Sequence, residues 1–115
     1  MNSILNSIKH LIGVNEEEDH FDTDLIMHIN SVFANLHQMG VGPKECYSIS
    51  DDTDLWTDFT DDVNEINNVK TYMYLKVKTL FDPPANSNIQ NAMDRQISEL
   101  EWRMHVYFSN EETQQ

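Results

Sequence analysis

The chain is predicted to be all-α, a single small bundle of about four to five helices with one irregular loop near residues 40–50. Three observations carry this. Glycine and proline are scarce, three of each in 115 residues, so the chain has few places to turn and must run in long elements. Apolar residues recur at spacings of three and four through most of its length, the period of one helix face. The length suits one hydrophobic core and is short for two.

Each element has its own signal. Residues 3–12 place Ile4, Leu5, Ile8, Leu11 and Ile12 on one face, and Gly13 ends that helix. Residues 15–19 (NEEED) form a charged loop. Residues 22–39 are the clearest helix: Leu25, Ile29, Val32, Leu36 and Met39 form a stripe flanked by Ile26 and Phe33. Asp22 reads as its N-cap, Phe21 and Ile26 as a hydrophobic staple, and Gly40 as the left-handed residue past its end. Residues 40–50 (GVGPKECYSIS) allow a loop or one short strand. Ser50, Asp51 and Asp52 open a short acidic helix carrying Leu55, Trp56 and Phe59, with negative side chains at the positive end of the helix dipole.

Residues 63–81 fit two patterns. Ile66, Val69, Met73, Val77 and Leu80 make a helical stripe. Val69, Thr71, Met73, Leu75, Val77, Thr79 and Phe81 also alternate with polar or aromatic residues, as in a strand. Strands rarely run so long in a small domain, which favours helix. At residues 81–84 (FDPP) two prolines force a stop, because proline lacks the helix donor and drives its predecessor out of helical geometry. Asn86, Ser87 and Asn88 restart a helix, with Ser87 and Gln90 spaced as a capping box. Ile89, Met93, Ile97, Leu100, Met104 and Tyr107 continue the stripe, and Glu99 with Arg103 is a favourable i,i+4 pair. The helical domain is predicted to span residues 1–108, followed by a flexible polar tail at 109–115.

Twenty Asp and Glu stand against seven Lys and Arg, a formal charge of −13. Nucleic-acid binding is driven by basic side chains displacing counterions, so so acidic a chain is not built to hold phosphate backbones. Anionic membrane surfaces are disfavoured for the same reason. Cys46 is the single cysteine, which excludes an intrachain disulfide and suits a reducing compartment. No apolar run is long enough to span a bilayer, and the N-terminus lacks a signal-peptide layout, so a soluble intracellular product is expected.

Signatures of chemistry are missing from the sequence. There is no HExxH, Cys/His cluster, calcium-loop register or glycine-rich phosphate loop. His28 and His37 lie off the apolar stripe and read as exposed. Cys46 stands beside Glu45 without a flanking motif for reactive-thiol chemistry. The expectation is no catalytic site, no metal and no cofactor. Trp102 carries more weight. It sits among charges, between the core stripe and the solvent face of the last helix. It either extends the core or anchors an interface, a role in which Trp is enriched. Trp56 and Phe59 carry the same two readings.

Residues 11–14 (LIGV), 22–43 (DTDLIMHINSVFANLHQMGVGP), the W-x-D-F of Trp56 to Phe59, 69–84 (VKTYMYLKVKTLFDPP) and 99–104 (ELEWRM) together resemble a known family. The chain is similar to the small head–tail connector proteins of tailed bacteriophages, also described as adaptor, head-completion or DNA-packaging proteins. The resemblance covers residues 4–108 and implies a helical bundle without enzymatic activity, with residues 63–81 helical. It implies a ring of copies, commonly a dodecamer, in the neck of the virion beneath the portal protein, made in the cytoplasm of the host bacterium. The ring would extend the DNA channel, pass genomic DNA without sequence-specific binding, and receive the next connector or stopper protein. Some members grip the portal with a longer C-terminal segment than the seven polar residues expected to follow the last helix here.

A ring needs a heterologous interface, in which two different faces of each copy meet. Trp56 and Phe59 are candidates for one face, and Trp102, Arg103, Val106 and Phe108 for the other. A channel that must not hold DNA is suited by carboxylates. The candidates to face it are Glu16, Glu17, Glu18, Asp19, Asp51, Asp52, Asp54, Asp61 and Asp62. The alternative is an acidic helical adaptor or regulator of a basic protein partner, without catalysis.

Overall fold

The computed structural model describes residues 2–113, with side chains described through Val106. Five helices follow one another: α1 (Ile4–Ile12), α2 (Asp22–Gln38), α3 (Trp56–Phe59), α4 (Val63–Phe81) and α5 (Ser87–Thr113). Among the described residues there is no sheet, and the single β-type pairing is an isolated bridge between Ser3 and Leu55. The fold is the all-α bundle the apolar spacing predicts, and residues 40–50 form a loop.

The centre of the bundle is α4, which packs against α1, α2 and α5. Val69, Tyr72, Met73, Leu75 and Val77 are all buried. This explains the double reading of that segment. A helix covered on two sides needs apolar residues around much of its circumference, and these fall at odd positions often enough to imitate strand alternation. By contrast, α5 has α4 as its main neighbour. Among its side chains described through Val106, it buries only the narrow seam Met93, Ile97, Leu100 and Met104, and most of the others are exposed.

Helix ends show which local signals hold. Ser3 caps α1, accepting from the Asn6 amide at 3.2 Å. Gly13 and Gly40 follow α1 and α2 with left-handed φ of 85° and 80°. Asp62 caps α4 through the amides of Asn64 and Glu65. Two expected caps and one expected helix start are corrected. Phe21, not Asp22, occupies the N-cap of α2, and it makes no side-chain cap bond. Asp22 is instead drawn to a buried lysine, and Phe21 meets Phe81 edge-on at 5.2 Å rather than being placed by a staple alone. At α5, Asn86 accepts from the Asn88 amide at 2.7 Å, while Gln90 turns forward to Asp94, so the Ser87–Gln90 box does not form. The short acidic helix starts at Trp56, because residues 50–54 close as a turn around the carboxylates of Asp51 and Asp54.

The loop between α2 and α3 is held down by side chains. Asn30 on α2 donates to the Ile49 carbonyl at 3.0 Å and accepts from its amide at 2.8 Å, replacing a strand partner with a side-chain amide. Val41 and Ile49 are buried beneath this loop. Gly42 has φ of 98°, and a Cβ there would lie 2.5 Å from the Phe59 ring, so both conformation and space require glycine. At the other end, α5 continues to Thr113, into the stretch expected as a tail. Residues 114–115 and the side chains beyond Val106 lie outside the described residues.

Candidate functional site

The narrow seam of α5 decides the position of Trp102. Because Leu100 and Met104 face α4, Trp102 points away from the core and is 67% exposed. Arg103 is exposed and ion-paired to Glu99 one turn back, and Val106 is half-buried. Phe108 has its side chain outside the described residues. Between α2 and α5, above α4, runs a groove of about 420 Å³. Val32, Leu80 and Ile97 supply its apolar lining, and Lys76 and Asp94 bring opposite charges into it. Ser98 lines the same groove, and Trp102 lies four residues on, one turn further along that side of α5. Met27, Leu80 and Ile89 are further large apolar side chains left exposed.

The proposed second face is not available. Trp56 is 1% exposed, its indole N–H donating to Ser7 Oγ at 3.1 Å. Ser7 Oγ in turn donates to the Ser3 carbonyl at 2.6 Å. Phe59 is buried in an aromatic cluster, with ring centroids 5.2 Å from Phe33 and 5.6 Å from Tyr47. Both residues are therefore core rather than interface. The physical reason is that the short α3 packs as a plug on the bundle. A four-residue helix can bury its two large aromatics only by turning both inward.

The acidic candidates separate by what their oxygens already do. Asp54 accepts from the amides of Ser50 and Asp51, Asp51 from Thr53, and Asp62 caps α4. The hydroxyl and amide of Thr53 hold the Asp51 carboxyl below the usual carboxylate range. Glu16 accepts from the Asn6 side chain at 3.0 Å. Glu18 accepts from the His20 amide, the first cause of its lowered pKa, and from the His20 ring. Glu17, Asp19, Asp52 and Asp61 are exposed on the surrounding turns. These carboxylates lie on two stretches of the chain, residues 15–19 and 51–62, the second interrupted by α3. Glu18, Asp19 and His20 bring possible ligand atoms within 4.8 Å of one another, an arrangement common among exposed acidic groups.

Two polar features escaped the sequence reading. Lys9 lies on the apolar run of α1 and is 1% exposed. Its ammonium donates to the carbonyls of Glu16 at 3.0 Å and Glu18 at 2.5 Å, and to Asp22 Oδ1 at 2.8 Å. It therefore fixes the loop between α1 and α2, with the glutamate side chains turned away from the core. No local motif marks this pairing, because its carboxylate is thirteen residues away across a loop. The second is Tyr72, whose buried hydroxyl donates to Glu101 at 2.9 Å and ties α4 to α5. Burial, then the Glu101 carboxylate, push the Tyr72 phenol well above its ordinary range. Among the described residues no helix is long and apolar enough to cross a membrane.

Among known protein families, the one described as phage connector protein matches residues 4–111. No curated protein and no solved structure matches the chain.

Proposed function

The chain belongs to the phage connector protein family, and from that premise we propose that it forms a ring beneath the portal of the filled capsid. A structural head–tail connector role and a place in the virion follow from the family; the ring, the neck position and the partners are our reading. The ring extends the DNA channel and presents a docking surface to the next connector or stopper protein. The observation that carries this reading is Trp102: a large aromatic, 67% exposed, on a helix whose core seam is already complete. An indole in water is costly for a monomer and favourable once a partner desolvates it. With Trp56 and Phe59 buried, the complementary face falls to other exposed apolar groups. The groove between α2 and α5, rimmed by Leu80, has the apolar lining to receive an aromatic anchor.

The acidity suits the same role. Carboxylates facing a bore repel phosphate and offer no counterion-release gain, so DNA can slide rather than stick. Exposed Glu17, Asp19, Asp52 and Asp61 are the residues best able to act this way, since the other acidic candidates close turns or caps. Electron microscopy of the purified protein, alone and mixed with the portal protein of the same phage, tests the proposal. Closed rings or capped portals are expected. Free monomers in both samples would overturn it and favour an acidic adaptor of a basic partner. Virions made without this polypeptide should fail to join tails and should lose their genome.

A further inference from the structure

A chain of charge −13 associates with itself against its own repulsion, and a contact in which a neighbour's carboxylate meets a cation offsets part of that cost. Three of its seven Lys and Arg side chains are already committed to carboxylates of the same chain. Lys9, Lys78 and Arg103 pair with Asp22, Asp82 and Glu99. Lys76 shares its groove with Asp94. A different situation exists between α1 and α4. A cleft of about 220 Å³ is lined by Ser7, His10, Leu11 and Lys70, with no carboxylate among them. Neither His10 nor Lys70 forms an ion pair within the described residues.

The cleft has a fixed floor. Its base is the Ser7 hydroxyl, held between the Ser3 carbonyl and the Trp56 indole. The Lys70 ammonium is 5.6 Å from the centroid of the same buried indole ring. A cation held against an aromatic face is oriented without being neutralised, because the ring offers a quadrupole and no net charge. Leu11, 43% exposed, adds an apolar wall. Charge and shape together suit a carboxylate side chain whose methylene stem lies on Leu11.

We propose that the His10–Lys70 cleft binds an exposed Asp or Glu of a second copy of this chain, and so supplies the attractive contact that offsets repulsion between like-charged subunits. A second copy is favoured over other partners by charge complementarity. The surface is crowded with carboxylates on the 15–19 and 51–62 stretches, whereas this cleft is cationic. The inference rests on the ring reading above and specifies one of its contacts.

The test combines zero-length coupling with sedimentation. Equal amounts of the ¹⁴N and ¹⁵N full-length chain are mixed, with and without the portal ring, and treated with a carbodiimide, which joins an amine to a carboxylate only in direct contact. Mass spectrometry should find Lys70 linked to an Asp or Glu of the other isotope. In sedimentation velocity, Lys70→Glu and His10→Glu should each weaken self-association about tenfold or more relative to Lys44→Glu. Lys70→Glu and Lys44→Glu make the same change of net charge, and Lys44 lies outside the cleft. Circular dichroism checks that each variant is folded. If the wild type associates, Lys70 links only within its own copy, and Lys70→Glu behaves as Lys44→Glu does, this inference is overturned and the ring stands. A wild type that stays monomeric in both samples overturns the ring and this contact together.

Discussion

The two tryptophans show how little residue type says about role. Trp56 has its indole N–H satisfied and its ring enclosed, whereas Trp102 stands in water. Trp56→Ala should cost about 3–5 kcal/mol and melt much of the fold. Trp102→Ala should change monomer stability by less than about 0.5 kcal/mol while weakening assembly. Urea denaturation with sedimentation separates the two, and acrylamide should quench Trp102 far more than Trp56. Lys9 is a buried charge whose partners are two carbonyls and one carboxylate. Lys9→Met keeps the packing but leaves those acceptors unmatched. Asp22 retains some access to water, so the loss should be about 2–4 kcal/mol, read from chemical denaturation. Tyr72 gives a pH signature. Its phenol pKa is raised in the folded state, so folding favours the protonated form. The associated stability is complete below the unfolded value of about 10 and declines as pH rises above it. Tyr72→Phe should flatten that alkaline decline, leaving the smaller part due to Tyr47, which is also raised by burial.

At the scale of elements, a capping side chain holds its helix end where no other partner competes for it. Ser3 and Asp62 cap through amides two or three residues on. Asp22 has the right chemistry for a cap, but an ammonium thirteen residues upstream competes successfully for its carboxylate. The start of α5 distinguishes two neighbouring candidates. Asn86 holds the Asn88 amide, so Asn86→Ala should cost about 1 kcal/mol, whereas Ser87→Ala should stay within about 0.5 kcal/mol. Thermal unfolding of both variants checks this. The central placement of α4 and the single-sided packing of α5 account for their different patterns, one apolar around most of its girth and the other apolar along a seam.

For the whole molecule, charge sets the conditions of assembly. Subunits of −13 repel at low ionic strength, and salt shortens the range of that repulsion. Assembly should therefore improve from very low to moderate salt, as followed by light scattering, and then weaken if contacts such as the proposed Lys70–carboxylate pair are screened in turn. The same charge leads us to expect no tight binding of the isolated protein to duplex DNA at physiological salt, which a gel-shift titration would check. Tight binding there would remove the repulsive-bore part of the proposal without touching the ring.

Composition and periodicity determined the helical class and the approximate extent of four helices, and the order of short phrases along the chain carried the resemblance to its family. These depend on local spacing, on turn residues and on the order of short phrases, all of which lie along the chain. Which large side chains are buried was decided only by tertiary structure. Trp56 and Trp102 each sit at the margin of an apolar face. One faces inward because its short helix plugs the bundle; the other faces water because its long helix is covered along one seam. The burial of Lys9 and the meeting of His10 and Lys70 at one cleft have the same origin, since both bring together residues from different elements whose proximity no spacing encodes.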